Sequence, residues 1–315
     1  MIGDAHRLTA GYVARHVPPG SRLGTDIAVL DIAQDFLLAH LHAAGFFSGM
    51  VVFKGGTALR KFFAGSEGRF STAVDLATVE LEADRQELAG LIAEHATVRL
   101  GPFQFEARET RNRWSIQVRS EFGSPAVTMK LDVDPPCWLL AEERPFVETS
   151  TQARYGFALP RIPVMRLEEI LAEKVARLTR SATARDAFDL VWARSTSPHS
   201  QFSPGLVRRL AVLKVWVDNH GLGGAWRPDL SPRPFDPGAW LAPRDPWDDE
   251  QIGLLGHPPP ALVDLERDLA ACYGWLRELN EDEVRWAAAD HASKGEVIAA
   301  IRALDGGALA GAHLY

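Results

Sequence analysis

The sequence predicts an α+β fold, with a mixed α/β N-terminal half and a mostly helical C-terminal half. Strand-length apolar runs cluster between residues 51 and 133 with few helices among them, which fits α+β better than a doubly wound sheet. Beyond residue 166 the apolar spacing turns helical. A chain of 315 residues that is 46% hydrophobic and 24% charged can bury a sizeable core, and its length suggests about two domains. The expected division is 1–150 and 151–315.

Each element has its own justification. In residues 26–44, Ile27, Leu30, Leu37, Leu38 and Leu41 fall at helical spacing and predict an amphipathic helix, with Asp26 near its start and Gly45 as its stop. Met50–Phe53 is a short apolar run followed by Lys54-Gly55-Gly56-Thr57 and a helical Ala58–Phe63, which reads as strand, glycine turn and helix start. Phe70–Val79 predicts a second strand and Leu81–His95 a helix. Phe103–Ala107, Trp114–Ser120 and Val127–Val133 alternate or run apolar at strand length. Arg166–Leu178 and Ala184–Ala193 predict helices. The stretch 195–260 holds 11 of the 20 prolines and four of the nine tryptophans (Trp216, Trp226, Trp240, Trp247). It opens with a helix near Pro204–Asp218 and is otherwise irregular, its tryptophans more suited to pinning the segment onto a core than to stacking on bases. Ala261–Leu279 and Glu281–Leu304 close the chain as two helices.

Composition excludes several function classes. Cys137 and Cys272 make neither a disulfide framework nor a zinc cluster. The longest apolar stretch, Phe36–Phe47, contains His40 and His42 and is too short to span a bilayer. The start MIGDAHRL has no basic-then-apolar secretory pattern, so a reducing cytoplasm and no membrane partner are expected. The net charge of −7 is unevenly spread. Residues 151–220 carry 11 Lys/Arg against 6 Asp/Glu, between two acidic blocks. A local basic cleft that meets one end of an RNA is compatible with that; broad non-specific nucleic-acid binding is not. Arg208, Arg209 and Lys214 would meet phosphates or form a solvated helix face.

Candidate chemistry begins at Gly55-Gly56-Thr57. Glycines at a strand-to-helix turn let a phosphate approach backbone N–H groups, and Thr57 would cap the helix or bond a phosphate oxygen. No Walker spacing is present. Asp75 projects from the next strand, and Asp132 and Asp134 share one face of a later one. Such carboxylates suit Mg²⁺, which takes oxygen ligands together with substrate phosphates. Glu173-Lys174 and Arg185–Leu190 follow on helices. An Asp189–Arg185 pair at i, i+4 is the plain structural reading of the latter.

Taken in order, KGGTALRK, RFSTxxDL, AEKVARL and ARDAFDL resemble the AbiEii/AbiGii-type nucleotidyltransferase toxins, which include the mycobacterial MenT toxins. These are members of the DNA polymerase β-like nucleotidyltransferase superfamily. The resemblance covers roughly Asp26 to Ala193. It implies a polymerase-β-like core of mixed sheet and flanking helices, followed by a helical lobe. It also implies Mg²⁺-dependent transfer of NMP from an NTP to the 3′ end of tRNA, which would block translation, and a neutralising antitoxin partner. Gly55, Gly56 and Thr57, with Lys54 beside them, match the phosphate-holding motif. Arg69 and Ser71 fill the Arg-x-Ser positions, Asp75 the second carboxylate of the metal pair, and Asp132 a third ligand. Lys174 matches the lysine that meets the triphosphate, and Asp189, with Asp186 beside it, the last acidic motif.

One position departs from the pattern. The family places an aspartate two residues before Asp75, and here Ala73 stands there. Three explanations are open: an engineered inactive variant, a natural degenerate enzyme, or shifted ligands. The intact surroundings of Ala73 favour the first. The alternatives for function are NMP transfer to a protein hydroxyl, or a non-catalytic NTP- or tRNA-binding regulator.

Overall fold

In the computed structural model, residues 2–17, 24–111, 113–123, 125–179, 183–194, 201–220, 252–255 and 261–309 are described. They fall into two compact units. One comprises Met1–Cys137, Ala141–Met165 and Gly253–Pro259; the other comprises Trp138–Leu140, Arg166–Ile252 and Pro260–Tyr315. The α+β class is as the sequence predicts.

The first unit begins with α1 (Ala10–His16) and α2 (Thr25–Ala43). As expected, α2 ends just before Gly45, whose φ of 87° is the left-handed conformation a helix stop needs. It is not amphipathic, however, because 14 of its 19 residues are buried. Asp31, Gln34 and Asp35 are among them, and they escape the cost of burial only through the partners described below.

Eight strands follow the chain as β1 (Val51–Lys54), β2 (Ala73–Thr78), β3 (Arg99–Leu100), β4 (Phe103–Thr110), β5 (Arg113–Ser120), β6 (Val127–Asp134), β7 (Glu142–Arg144) and β8 (Ile162–Val164). They form one mixed sheet in the order β3-β4-β5-β6-β2-β1-β8-β7. β1 runs antiparallel to β2 and parallel to β8, and β2 runs parallel to β6. The sequence did not predict β3, β7 and β8, since two or three residues are too few to show a period of two. Between β1 and β2 lie α3 (Gly55–Leu59) and a π-helical turn, Arg60–Ala64. The helix α4 (Arg85–His95) starts later than Leu81, because the Asp84 side chain accepts from the N–H groups of Gln86 and Glu87 and caps it there.

Alternation decides what the sheet offers. Phe105, Ile116, Val118, Met129, Leu131, Val74 and Leu76 are buried on one face, where α2 and α4 pack. Ala73, Asp75, Lys130 and Asp132 share the other face and are half-buried or exposed.

The second unit is helical: α5 (Leu167–Leu178), α6 (Ala184–Ala193), α7 (Pro204–His220), α8 (Leu262–Cys272), α9 (Glu281–Ala288) and α10 (Lys294–Arg302). The single helix expected over Glu281–Leu304 is broken at Ala289–Asp290, where the Asp290 side chain caps a new turn by accepting from Ser293 N at 3.0 Å. Trp216 is buried, donates its ring N–H to Ala289 O at 2.8 Å and stacks on His220, so it is a core residue. Trp226, Trp240 and Trp247 lie outside the described residues. Among the described residues, no helix is long and apolar enough to cross a membrane.

Candidate active site

β1 is buried along its whole length and delivers Lys54 and the glycine turn to the open face of the sheet. Gly55 has φ 80°, a conformation that strains any other residue. A Cβ there would lie 2.8 Å from Asp75 Cγ, so glycine also provides the room for that carboxylate. A Cβ on Gly56 would run into the Arg69 guanidinium. The two glycines thus set the turn directly against a carboxylate and a cation.

Thr57 is fully buried, and its hydroxyl donates to Ala73 O at 2.5 Å. That bond ties the turn to the start of β2. It replaces the helix-capping role open to Thr57 in the sequence: the N-cap of α3 is Lys54, and no side chain caps it. Gln34 on α2 donates to Ser71 O at 3.0 Å and fixes the same strand entry from behind. Arg69 is buried and donates to Phe70 O at 2.9 Å.

Register brings the carboxylates together. Lys54 pairs with Asp75, and Asp75 with Asp132, so all three stand in one row across β1, β2 and β6. In the neighbouring row Ala73 pairs with Lys130. Lys54 Nζ lies 3.0 Å from Asp134 Oδ2, which sets Asp134 apart from the Asp75–Asp132 pair. Among the described residues, no group of three or more His, Cys, Asp or Glu side chains is placed to hold a metal. Two adjacent carboxylates suit one Mg²⁺ that also takes water and substrate phosphate oxygens. A two-ion clamp needs a further shared ligand. Position 73, on the same face of β2 as Asp75, is where an aspartate would supply it.

The remaining expected residues belong to the second unit. Lys174 on α5 is buried, with Nζ 3.1 Å from Asp186 Oδ1 and 2.6 Å from Asp189 Oδ2 on α6. Thr183 donates its hydroxyl to Asp186 Oδ2 at 2.8 Å and caps α6. Asp189 therefore meets Lys174, where the sequence suggested Arg185. Nor are Arg208 and Lys214 a solvated helix face. Arg208 lies 2.7 Å from Glu283, and Lys214 lies 3.0 Å from Glu169 and 3.5 Å from Glu173.

Sequence reasoning missed a buried polar network directly behind the glycine turn. Asp31 accepts from Arg60 Nε at 3.1 Å and from Lys61 Nζ at 3.2 Å, and lies 2.7 Å from His16 Nε2. Asp35 accepts from Lys61 Nζ at 2.5 Å, Gln152 Nε2 at 3.0 Å and the Tyr155 hydroxyl at 2.6 Å. Burial alone would raise the Asp31 carboxyl, but Arg60, Lys61 and His16 together hold it well below the usual carboxylate range. Burial, and then Asp35, push the Tyr155 phenol well above its ordinary value. The available signal was two aspartates four residues apart, with Gln34 between them, among the apolar residues of the helix.

Comparisons with known proteins match most of the chain. The family model described as "Nucleotidyl transferase AbiEii toxin, Type IV TA system" matches residues 36–288. Among solved structures, the chain is similar to MenT4, the nucleotidyltransferase toxin Rv2826c from Mycobacterium tuberculosis H37Rv. The two are 36% identical with a TM-score of 0.79, over 93% of this chain and 98% of that one. A putative nucleotidyltransferase from H. pylori is 14% identical with a TM-score of 0.45, over 81% of this chain and 96% of that one, and carries no weight. Among curated proteins nothing matches.

Proposed function

Because the chain belongs to the AbiEii family of nucleotidyltransferase toxins, we propose that, with aspartate at position 73, it moves NMP from an NTP to the 3′ end of tRNA and so blocks translation. With Ala73 it is catalytically silent. The observation that carries this reading is the Asp75–Asp132 pair in register beside a turn whose two glycines make room for the Asp75 carboxylate and the Arg69 guanidinium.

In this reaction the tRNA 3′ oxygen forms a bond to the α-phosphorus and the bond to the β-phosphate oxygen breaks. Pyrophosphate leaves in line, and the hydroxyl proton passes to solvent. Asp75 and Asp132 would hold Mg²⁺, which when bound offsets charge on the phosphates. On the family resemblance Gly55 and Gly56 would meet the triphosphate, while Thr57 and Gln34 keep the turn and strand in register and Arg69 backs the turn with positive charge. The role of Lys174 towards the triphosphate rests on the family resemblance alone. Its geometry makes it the cation that joins Asp186 and Asp189. A neutralising antitoxin and a cytoplasmic setting complete the proposal.

The test is the reversion Ala73→Asp, incubated with labelled NTPs and either total RNA or total protein. Label in RNA and restored growth inhibition are expected. Label in protein would move the acceptor to a protein hydroxyl. Ala73 itself favours one rival, a non-catalytic NTP- or tRNA-binding regulator, which predicts that the revertant binds nucleotide yet transfers nothing.

A further inference from the structure

The open face of the sheet does not end at the carboxylates. β5 pairs with β6 so that Ser115 faces Lys130 and Gln117 faces Thr128. β4 pairs with β5 so that Arg108 faces Ser115, Thr110 faces Arg113, and Gln104 faces Arg119. Arg99 on β3 pairs in turn with Gln104. All of these lie on the face opposite Ile116, Val118 and Met129, which are buried. Arg99, Arg108, Arg113, Arg119 and Lys130 are exposed.

The register also sets their order. Trp114 pairs with Leu131, so one residue further along the ladder Arg113 stands beside Asp132. Lys130 is two residues before Asp132 on the same strand, about 7 Å away along it. Beyond Asp75 and Asp132 themselves and Asp134, which Lys54 pairs, five cations on this face meet two carboxylates, Glu106, which pairs with Arg108 at 3.2 Å, and Glu121, which pairs with Arg99. In a chain of net charge −7, this is a local positive surface running up to the acidic pair.

We propose that the open face of β4, β5 and β6 is the track for the acceptor RNA, with Arg113, Arg119 and Lys130 binding backbone phosphates and leading the 3′ end to Asp75 and Asp132. The inference rests on the proposed RNA acceptor and adds where that acceptor lies. Phosphate contacts fit this surface because its cations sit on a rigid strand ladder and are exposed. Aromatic side chains for base stacking are missing from the residues named on this face, which suits backbone contact without sequence readout. An acidic protein surface is the competing occupant.

The probe is unfractionated tRNA carrying a fluorescent label, bound to the full chain with Ala73 and followed by anisotropy across a salt series. Arg113→Ala, Arg119→Ala and Lys130→Ala should each weaken binding severalfold and flatten the salt dependence by roughly one counterion or slightly less. Charge reversal at Arg119 or Lys130 should weaken it at least tenfold. Arg267→Ala, at an exposed cation of the second unit, is the control and should change nothing. Thermal melting checks that each variant is folded. If tRNA binds and the three variants match the control, the track is refuted while the RNA acceptor stands, as labelling of RNA by the Ala73→Asp revertant would show. A parent chain, with Ala73, that binds no tRNA overturns the track, and label appearing in protein overturns the acceptor with it.

Discussion

Replacing Lys61 by methionine tests what holds the glycine turn in place. Lys61 lies on the π-helical turn just after α3, and its side chain is 2% exposed. Its Nζ donates to Asp31 O at 2.8 Å, Asp31 Oδ1 at 3.2 Å and Asp35 Oδ1 at 2.5 Å. Methionine has a similar shape, so the loss is the charge and its hydrogen bonds, with little cavity. Asp31 keeps Arg60 and His16. Asp35 keeps only the neutral donors Gln152 and Tyr155 among the partners named above. Removing one member of a buried ion pair costs about 3–5 kcal/mol. At roughly 2–4 °C per kcal/mol for a unit of this size, the melting transition of the first unit should fall by roughly 6–20 °C. Calorimetry at pH 7 is the assay, since it separates the transitions of two units. A second variant sharpens it: Lys61→Met with Asp35→Leu removes both charges and should recover part of the loss. A Lys61→Met chain that melts within 2 °C of the parent would refute the claim that the network is charged and carries the turn.

Other perturbations separate structure from chemistry. Gly55→Ala should strain the turn by about 1 kcal/mol and displace the Asp75 carboxylate, so in the Ala73→Asp background NMP transfer should fall at least tenfold while melting moves by a few degrees at most. Asp31 is held below its ordinary range, so its contribution is present above the unfolded carboxylate pKa and lost as pH falls through the lower folded value. Acid titration of an Asp31→Asn chain should therefore show a weaker stability loss below about pH 4 than the parent. Lys174→Ala leaves Asp186 and Asp189 buried without their shared cation, and should destabilise the second unit by about 3–5 kcal/mol, read from its melting transition. Ala73→Asp should bind Mg²⁺ more tightly than the parent in a calorimetric titration with a non-hydrolysable NTP; equal affinity would remove position 73 from the metal site.

Local patterns were legible in the sequence wherever a residue's role depends on its neighbours in the chain. The apolar run Val51–Phe53 before two glycines, the alternation of Val127–Val133 and the helical spacing of Ala184–Ala193 each appear in the fold. Misplaced boundaries have local causes that apolar spacing does not display, such as the Asp84 cap of α4 and the Asp290 cap that splits the last helix. The eight-stranded order depends on pairings as distant as Phe53 with Val164, which no window of sequence contains.

What the sequence offered by itself was a set of candidate site residues: a glycine turn, strand carboxylates, and an alanine where the motif has an aspartate. The first two follow from the residues and their spacing, the third from the resemblance to the family motif. Only the tertiary structure decided which of them meet. Parallel pairing of β2 with β6 put Asp132, and not Asp134, beside Asp75, because a strand offers alternate residues to a face and the register selects which of them is adjacent. The same long-range packing enclosed Asp31 and Asp35 with Arg60 and Lys61, turning what sequence spacing read as an amphipathic helix into a buried one. Burial depends on what the rest of the chain lays against a residue, and that is set by the fold as a whole.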